Sequence, residues 1–197
     1  VAARELGGEE GGAKARQHGG VAVDRAGRQQ RRTFGRDAAF EPPALVRDIL
    51  AWNDLAAVMI VDFGEIPAKQ RNYVRILFTH PAMRALYADW ETVAQTSVAQ
   101  LRMEAAKYPD DPRLMSLIGE LSVHDAQFAG WWAGRTVKSL NTGTKTLNHQ
   151  IAGELVLDWD TLVEAHDAEQ QLVVWTAPPE SPTHDALRFL ASWAAGK

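Results

Sequence analysis

The sequence predicts an α+β domain with a helical middle and a late run of strands, preceded by a segment without regular structure. Three observations predict it. Residues 1–40 hold eight of the 15 glycines and eight of the 21 Lys and Arg residues, with no apolar periodicity among them. From Pro42 and Pro43 onward, turn residues separate apolar segments of regular period, as in a folded domain. Beyond Gly134 that period shifts from helix to strand.

Chain length and composition set the outer limits. At 197 residues, 46% hydrophobic and 23% charged, the chain suits one globular domain with an appendage. A net charge of -4 is not the basic footprint of a self-sufficient nucleic-acid binder. The absence of cysteine excludes disulfides, thiolate catalysis and cysteine-ligated metal centres. The longest apolar stretch, Leu55 to Val61, falls far short of the roughly 18 residues that span a bilayer. The N-terminus also lacks the apolar core of a secretory signal. These features predict a soluble, cytoplasmic protein.

The first segment, residues 1–42, reads as a disordered Gly/Arg-rich stretch. Gly7, Gly8, Gly11, Gly12, Gly19 and Gly20 break any helix, and without a periodic apolar face burial does not offset the entropy of folding. The basic cluster from Arg28 to Arg36 is read as a solvated tail. Residues 43–197 are expected to form the domain. Leu45, Val46, Ile49 and Leu50 make a short β-like run into Trp52, and Asn53 caps a helix carrying Leu55, Val58, Met59 and Phe63. Pro67 suits the first turn of a second helix with Tyr73, Ile76 and Leu77 on one side, and Pro81 opens a third. Along the third, Trp90, Val93, Ala94, Ser97, Val98 and Leu101 form one continuous stripe, ended by Tyr108 and Pro109. Asp111 and Pro112 start a fourth helix, and Asp125 caps a fifth that holds Phe128, Trp131 and Trp132. Strands follow over Lys145–His149, Glu154–Trp159 and Gln171–Thr176, the last apolar on both faces like a central strand. Ser181 and Pro182 begin a closing helix with Leu187, Leu190, Ala191 and Ala194 inward.

Residues with catalytic or metal-binding chemistry are scattered. The six histidines match no paired ligand spacing, so no metal is expected. Asp158 and Asp160 alternate onto the polar side of a half-buried strand. No GxSxG elbow surrounds a serine, and Asn141 to Lys145 resembles a phosphate-binding loop only superficially and reads as a turn. No catalytic residue and no cofactor is therefore expected, and the protein is read as a non-enzyme. Seven tryptophans stand out, six of them on or beside apolar faces. Large aromatics serve either as core or as walls of an apolar pocket, and their positions in the sequence leave both open.

One long string is more specific. Trp52-Asn53, the run from Arg71 through His80 and Pro81, and Arg84 to Glu91 resemble the MmyB-like ligand-binding domain of XRE-type helix-turn-helix regulators. The likeness continues through Leu101-Arg102, Asp110 to Pro112, Gly119 to Ser122, Phe128, Trp132, His149, Gly153 to Leu155, and Leu172 to Val174. It covers roughly residues 43 to 195. The resemblance implies a PAS-like fold, a small antiparallel sheet with helices packed over one face, and a pocket for a fatty-acid-like or other small apolar effector. It also implies a homodimeric regulator of transcription that reaches DNA through an N-terminal helix-turn-helix. Residues 1–40 do not resemble that domain, which predicts a regulator whose DNA-binding part is missing from this chain. Residues 44–52 are shorter than the family's first hairpin, which predicts a merged first pair of strands.

Within that frame Trp52, Leu77, Phe78, Trp90, Phe128 and Trp132 are the expected pocket walls. Arg71, Arg75 and His149 are expected to hold a carboxylate. Each buried methylene of such an effector contributes about 0.8 kcal/mol before ordering costs. The competing expectations are a dimerisation or partner-binding module without ligand, and a non-functional fragment of a regulator.

Overall fold

The computed structural model describes residues 21–24, 47–134, 142–164 and 167–195. Its described residues form a five-stranded antiparallel sheet in the order β2-β1-β5-β4-β3. The strands are β1 (Val21–Asp24), β2 (Ala51–Trp52), β3 (Thr142–His149), β4 (Gly153–Glu164) and β5 (Asp167–Thr176). Between β2 and β3 run α1 (Asp54–Met59), α2 (Tyr73–Thr79), α3 (Pro81–Leu86), α4 (Trp90–Lys107), α5 (Pro112–His124) and α6 (Ala126–Ala133), and α7 (Pro182–Ala195) follows the sheet. This is the α+β class expected from the sequence.

Polar side chains start most of these helices. Asn53, Asn72, Asp89, Asp111 and Asp125 each accept a hydrogen bond from a backbone N–H of the first turn they precede. Ser181 does the same for His184 N at 3.1 Å. Two helices differ from expectation at such caps. The segment after Pro67 makes only a 3-10 turn, Ala68–Gln70, and the α-helix begins after Asn72, whose Oδ1 satisfies two amides. The helix opened by Pro81 ends at Leu86, and α4 restarts after Asp89. In the gap, Ala88 N donates to Thr146 O at 3.0 Å and Tyr87 bridges Leu147. The break between α3 and α4 thus hydrogen-bonds to the edge strand β3, which a continuous helix could not do.

The strands lie where the apolar alternation placed them, and each extends beyond it. On β4, Leu155, Leu157 and Trp159 are buried, while Asp158 and Asp160 are exposed. Strand β5 is central, between β1 and β4. Gly153 closes the β3–β4 hairpin with φ of 73°, a conformation that side chains with a Cβ rarely adopt. Two expectations are overturned. Thr142 to Thr144, read as part of a turn leading into the strand at Lys145, belong to β3, because pairing with Asp158 through Asp160 supplies their backbone partners. In the segment read as disordered, Val21–Asp24 forms a strand between β2 and β5, in register with Leu172 to Trp175. Its short Val-Ala-Val run pairs the edge of β5, whose N–H and C=O groups would otherwise go unmet. The rest of residues 1–42, with the basic cluster, lies outside the described residues, as do Leu45 and Val46. Of the expected β-like run, Asp48 bridges Asn72 and only Ala51–Trp52 is a strand. In α7, Leu187 and Leu190 are buried as expected, whereas Ala191 is exposed.

The core lies between the inner face of the sheet and the helices, and joins Met59, Leu77, Leu101, Leu121 and Phe128 to Leu147, Leu155 and Leu157. Helix α7 packs against α1 and β4, and Thr183 Oγ1 accepts from Val156 N at 3.0 Å where β5 has already ended. Among the described residues no helix is long and apolar enough to cross a membrane.

Candidate functional site

The inner face of β3, β4 and β5 does not close completely on α4. Between them is a cavity of about 360 Å3, within the range of small-molecule pockets. Its sheet wall includes Lys145, Trp159 and Trp175, its helical wall Thr92, Val93 and Thr96, and its ends Arg47, Tyr73 and Tyr87. The stripe that buries α4 explains the helical wall. Trp90, Ala94, Val98 and Leu101 pack inward, while half-buried Val93 and its neighbours Thr92 and Thr96 turn to the sheet. Gly143 faces Trp159 across the β3–β4 ladder, and a Cβ there would lie 3.1 Å from Trp159 Nε1. The missing side chain makes room for the indole at the cavity wall.

Strand alternation puts Gly143, Lys145 and Leu147 on one face, so a lysine stands on the apolar side of β3. Its Nζ lies 4.8 Å from the ring centre of Trp159, 5.3 Å from Trp175 and 5.7 Å from Tyr87, within cation–π range. Burial and then the nearby charge of Arg47 push the Lys145 ammonium down to about 8. Arg47 itself has φ of 68°, unusual for a residue with a side chain. Its carbonyl accepts from Tyr73 N at 2.8 Å, and Nη2 donates to Gln100 Oε1 at 2.7 Å. The hydroxyls of Tyr73 and Tyr87 are 2.9 Å apart. Burial raises both, Tyr87 well above its ordinary value, so both stay protonated at neutral pH.

None of the nine expected site residues lines this cavity. Leu77, Phe78, Trp90 and Phe128 are buried in a packed aromatic cluster, with Phe78 edge-on to Phe128 at 5.1 Å and to Trp90 at 5.5 Å. Trp90 Nε1 donates to Leu77 O at 3.1 Å. Trp132 stacks on Phe128 at 6.0 Å, and Arg102 over its ring donates to the carbonyls of Trp131 and Trp132. Trp52 does not line the cavity but meets Phe63, which does, edge-on at 5.5 Å.

The three expected carboxylate holders have structural partners instead. Arg71 lies over Trp52 and donates to Ile66 O at 2.6 Å. Arg75 binds Glu120 through two bonds of 2.9 and 2.7 Å, and that hydrogen bonding holds the carboxyl below its ordinary value. His149 Nε2 lies 3.0 Å from Val58 O while Nδ1 accepts from Ala152 N at 3.0 Å, the pattern of a neutral ring protonated on Nε2. Of the residues that do line the cavity, Tyr73, Val93, Trp159 and Trp175 show in the sequence only as members of apolar faces. Lys145, first residue of the expected strand Lys145–His149, carries a readable signal in its phase with Leu147, which puts a lysine on the apolar face.

Among the described residues, no group of three or more His, Asp or Glu side chains has the arrangement of a metal site. The cavity combines aromatic and aliphatic residues with threonines, Lys145 and Arg47, the make-up of a small-molecule pocket. Residues 42–190, about three quarters of the chain, match the family described as the MmyB-like transcription regulator ligand binding domain. The chain belongs to that family. No curated protein matches it.

Proposed function

We propose that this chain is the sensory module of a transcription regulator, and that a small amphipathic effector with an acyl-like body occupies the cavity between α4 and the sheet. The cavity itself carries the reading. It is enclosed by Val93 of α4 and by Trp159, Val173 and Trp175 of the sheet, an apolar lining that rewards burial of methylene groups. The position supports a signalling role, because an occupant would touch both α4 and the central strands and so bias their separation. The strand order and one-sided helical cover support a PAS-like architecture. Family membership supports the remaining parts of the reading: binding rather than catalysis, action as a homodimer in the cytoplasm, and DNA contact through an XRE-type helix-turn-helix domain.

Native mass spectrometry of freshly purified protein tests this reading. A retained ligand of fatty-acid size is expected, and its occupancy should fall in Val93→Phe, whose larger side chain enters the cavity. Repeated failure to retain any such ligand, including after incubation with medium-chain acids, would overturn it.

A further inference from the structure

The pocket is chemically lopsided. Two carboxylates line it, and both are engaged: Asp48 binds Arg113 at 2.9 Å and Asn72 Nδ2 at 2.9 Å, and Asp89 accepts from Thr92 N as the cap of α4. Among the described residues neither pairs with Lys145, whose recorded contacts are the faces of Tyr87, Trp159 and Trp175. A second cation, Arg47, lines the same cavity and acts on Lys145 by repulsion. Among the described residues, the charged and titratable groups that line the cavity with Lys145 are Arg47, Asp48, Asp89, Tyr73 and Tyr87. Lys145 lines the cavity against three ring faces, Arg47 lines it while bonded to Gln100, both acids have partners, and both phenols are protonated.

We infer that Lys145 is the counter-ion for the carboxylate of an amphipathic acid, its aromatic box presenting the ammonium to the cavity and Arg47 adding a second positive charge. This rests on the reading of the cavity as the effector site and goes further, since it assigns the head group and the residue that holds it. The physical case is the cost of a buried charge. An ammonium kept from water by three rings keeps its proton at a penalty, and an entering anion relieves that penalty as well as the repulsion from Arg47. A neutral head group offers neither. The rings supply a modest attraction of their own and leave the hydrogen-bond donors of Nζ free to meet oxygen atoms. An amphipathic amine is disfavoured by the same two cations.

The test compares dodecanoic acid, dodecan-1-ol and dodecylamine by calorimetric titration of the full chain at pH 7. In the unaltered protein the acid should bind at least about tenfold more tightly than the alcohol, the scale of one hydrogen bond to a charged group, and the amine least. Lys145→Met, which keeps an unbranched apolar stem among the rings, should bring acid and alcohol to similar affinity, and Lys145→Arg should keep the preference for acid. Equal binding of acid and alcohol by the unaltered protein overturns the inference while leaving the cavity an effector site. So does a preference for acid that survives in Lys145→Met. Binding of none of the three overturns both. The comparison within the unaltered protein needs no variant to fold.

Discussion

Two aromatic clusters lie on either side of α4, and they treat positive charge differently. In the cluster of Phe78, Trp90, Phe128, Trp131 and Trp132 every ring meets another, and the cations above it are neutralised or hydrogen-bonded. Arg84 sits 3.7 Å above Trp90 and also binds Asp125 at 2.8 Å, while Arg102 over Trp132 donates to two carbonyls. In the second, Tyr87, Trp159 and Trp175 surround Lys145 beside a cavity, with no carboxylate among the described residues bound to the amine. Aromatic content alone therefore does not mark a binding site. Space and unspent charge do.

The sharpest way to break the comparison is to change side-chain volume on both sides. Phe128 is fully buried, so Phe128→Ala should cost about 3–5 kcal/mol in urea melts by leaving a cavity. Val93→Phe should cost less than about 1 kcal/mol, where overpacking of a filled core typically costs 1–3. A large loss there would mean the space beside Val93 is not available to a side chain. Asp125 ties the packed cluster together as cap of α6 and partner of Arg84, and Asp125→Ala should cost about 1 kcal/mol by the same measurement. Arg75→Ala, at a half-exposed pair with Glu120, should cost less than about 1 kcal/mol and leave acid binding unchanged.

Protons sharpen the contrast. The Lys145 amine is near 8 in the fold against 10.5 ordinarily, so between those values the unfolded chain holds a proton that the folded chain has released. Stability should therefore rise with pH across that window, as read by thermal melts. Above about 10 the trend reverses, because burial keeps Tyr73 and Tyr87 protonated in the fold while unfolded phenols ionise. Lys145→Met should remove the rise and keep the later fall. An unchanged rise would mean that Lys145 is not the group responsible.

Much of the fold was legible because it rests on local chemistry. The caps Asn53, Asp111 and Asp125, the proline behind Asp111, and the alternation of Leu155, Leu157 and Trp159 each act within a few residues. The break between α3 and α4 and the strand at Val21–Asp24 were hidden because their cause is distant. One is held by Thr146 of β3 and the other by the open edge of β5. The site was less legible than the fold for the same reason. Trp90, Phe128 and Trp132 and the cavity walls Trp159 and Trp175 look alike along the chain, and only the three-dimensional arrangement shows which of them face a space. The resemblance located the domain but not the cavity within it.

The most direct measurement of the central claim is the dissociation constant for dodecanoic acid in the unaltered protein, Val93→Phe and Trp132→Leu, each confirmed folded by circular dichroism. If the effector lies between α4 and the sheet, Val93→Phe should weaken binding at least about tenfold while Trp132→Leu changes it less than about twofold. The opposite pattern, with binding lost in Trp132→Leu and kept in Val93→Phe, would contradict the account and return the site to the packed aromatic cluster.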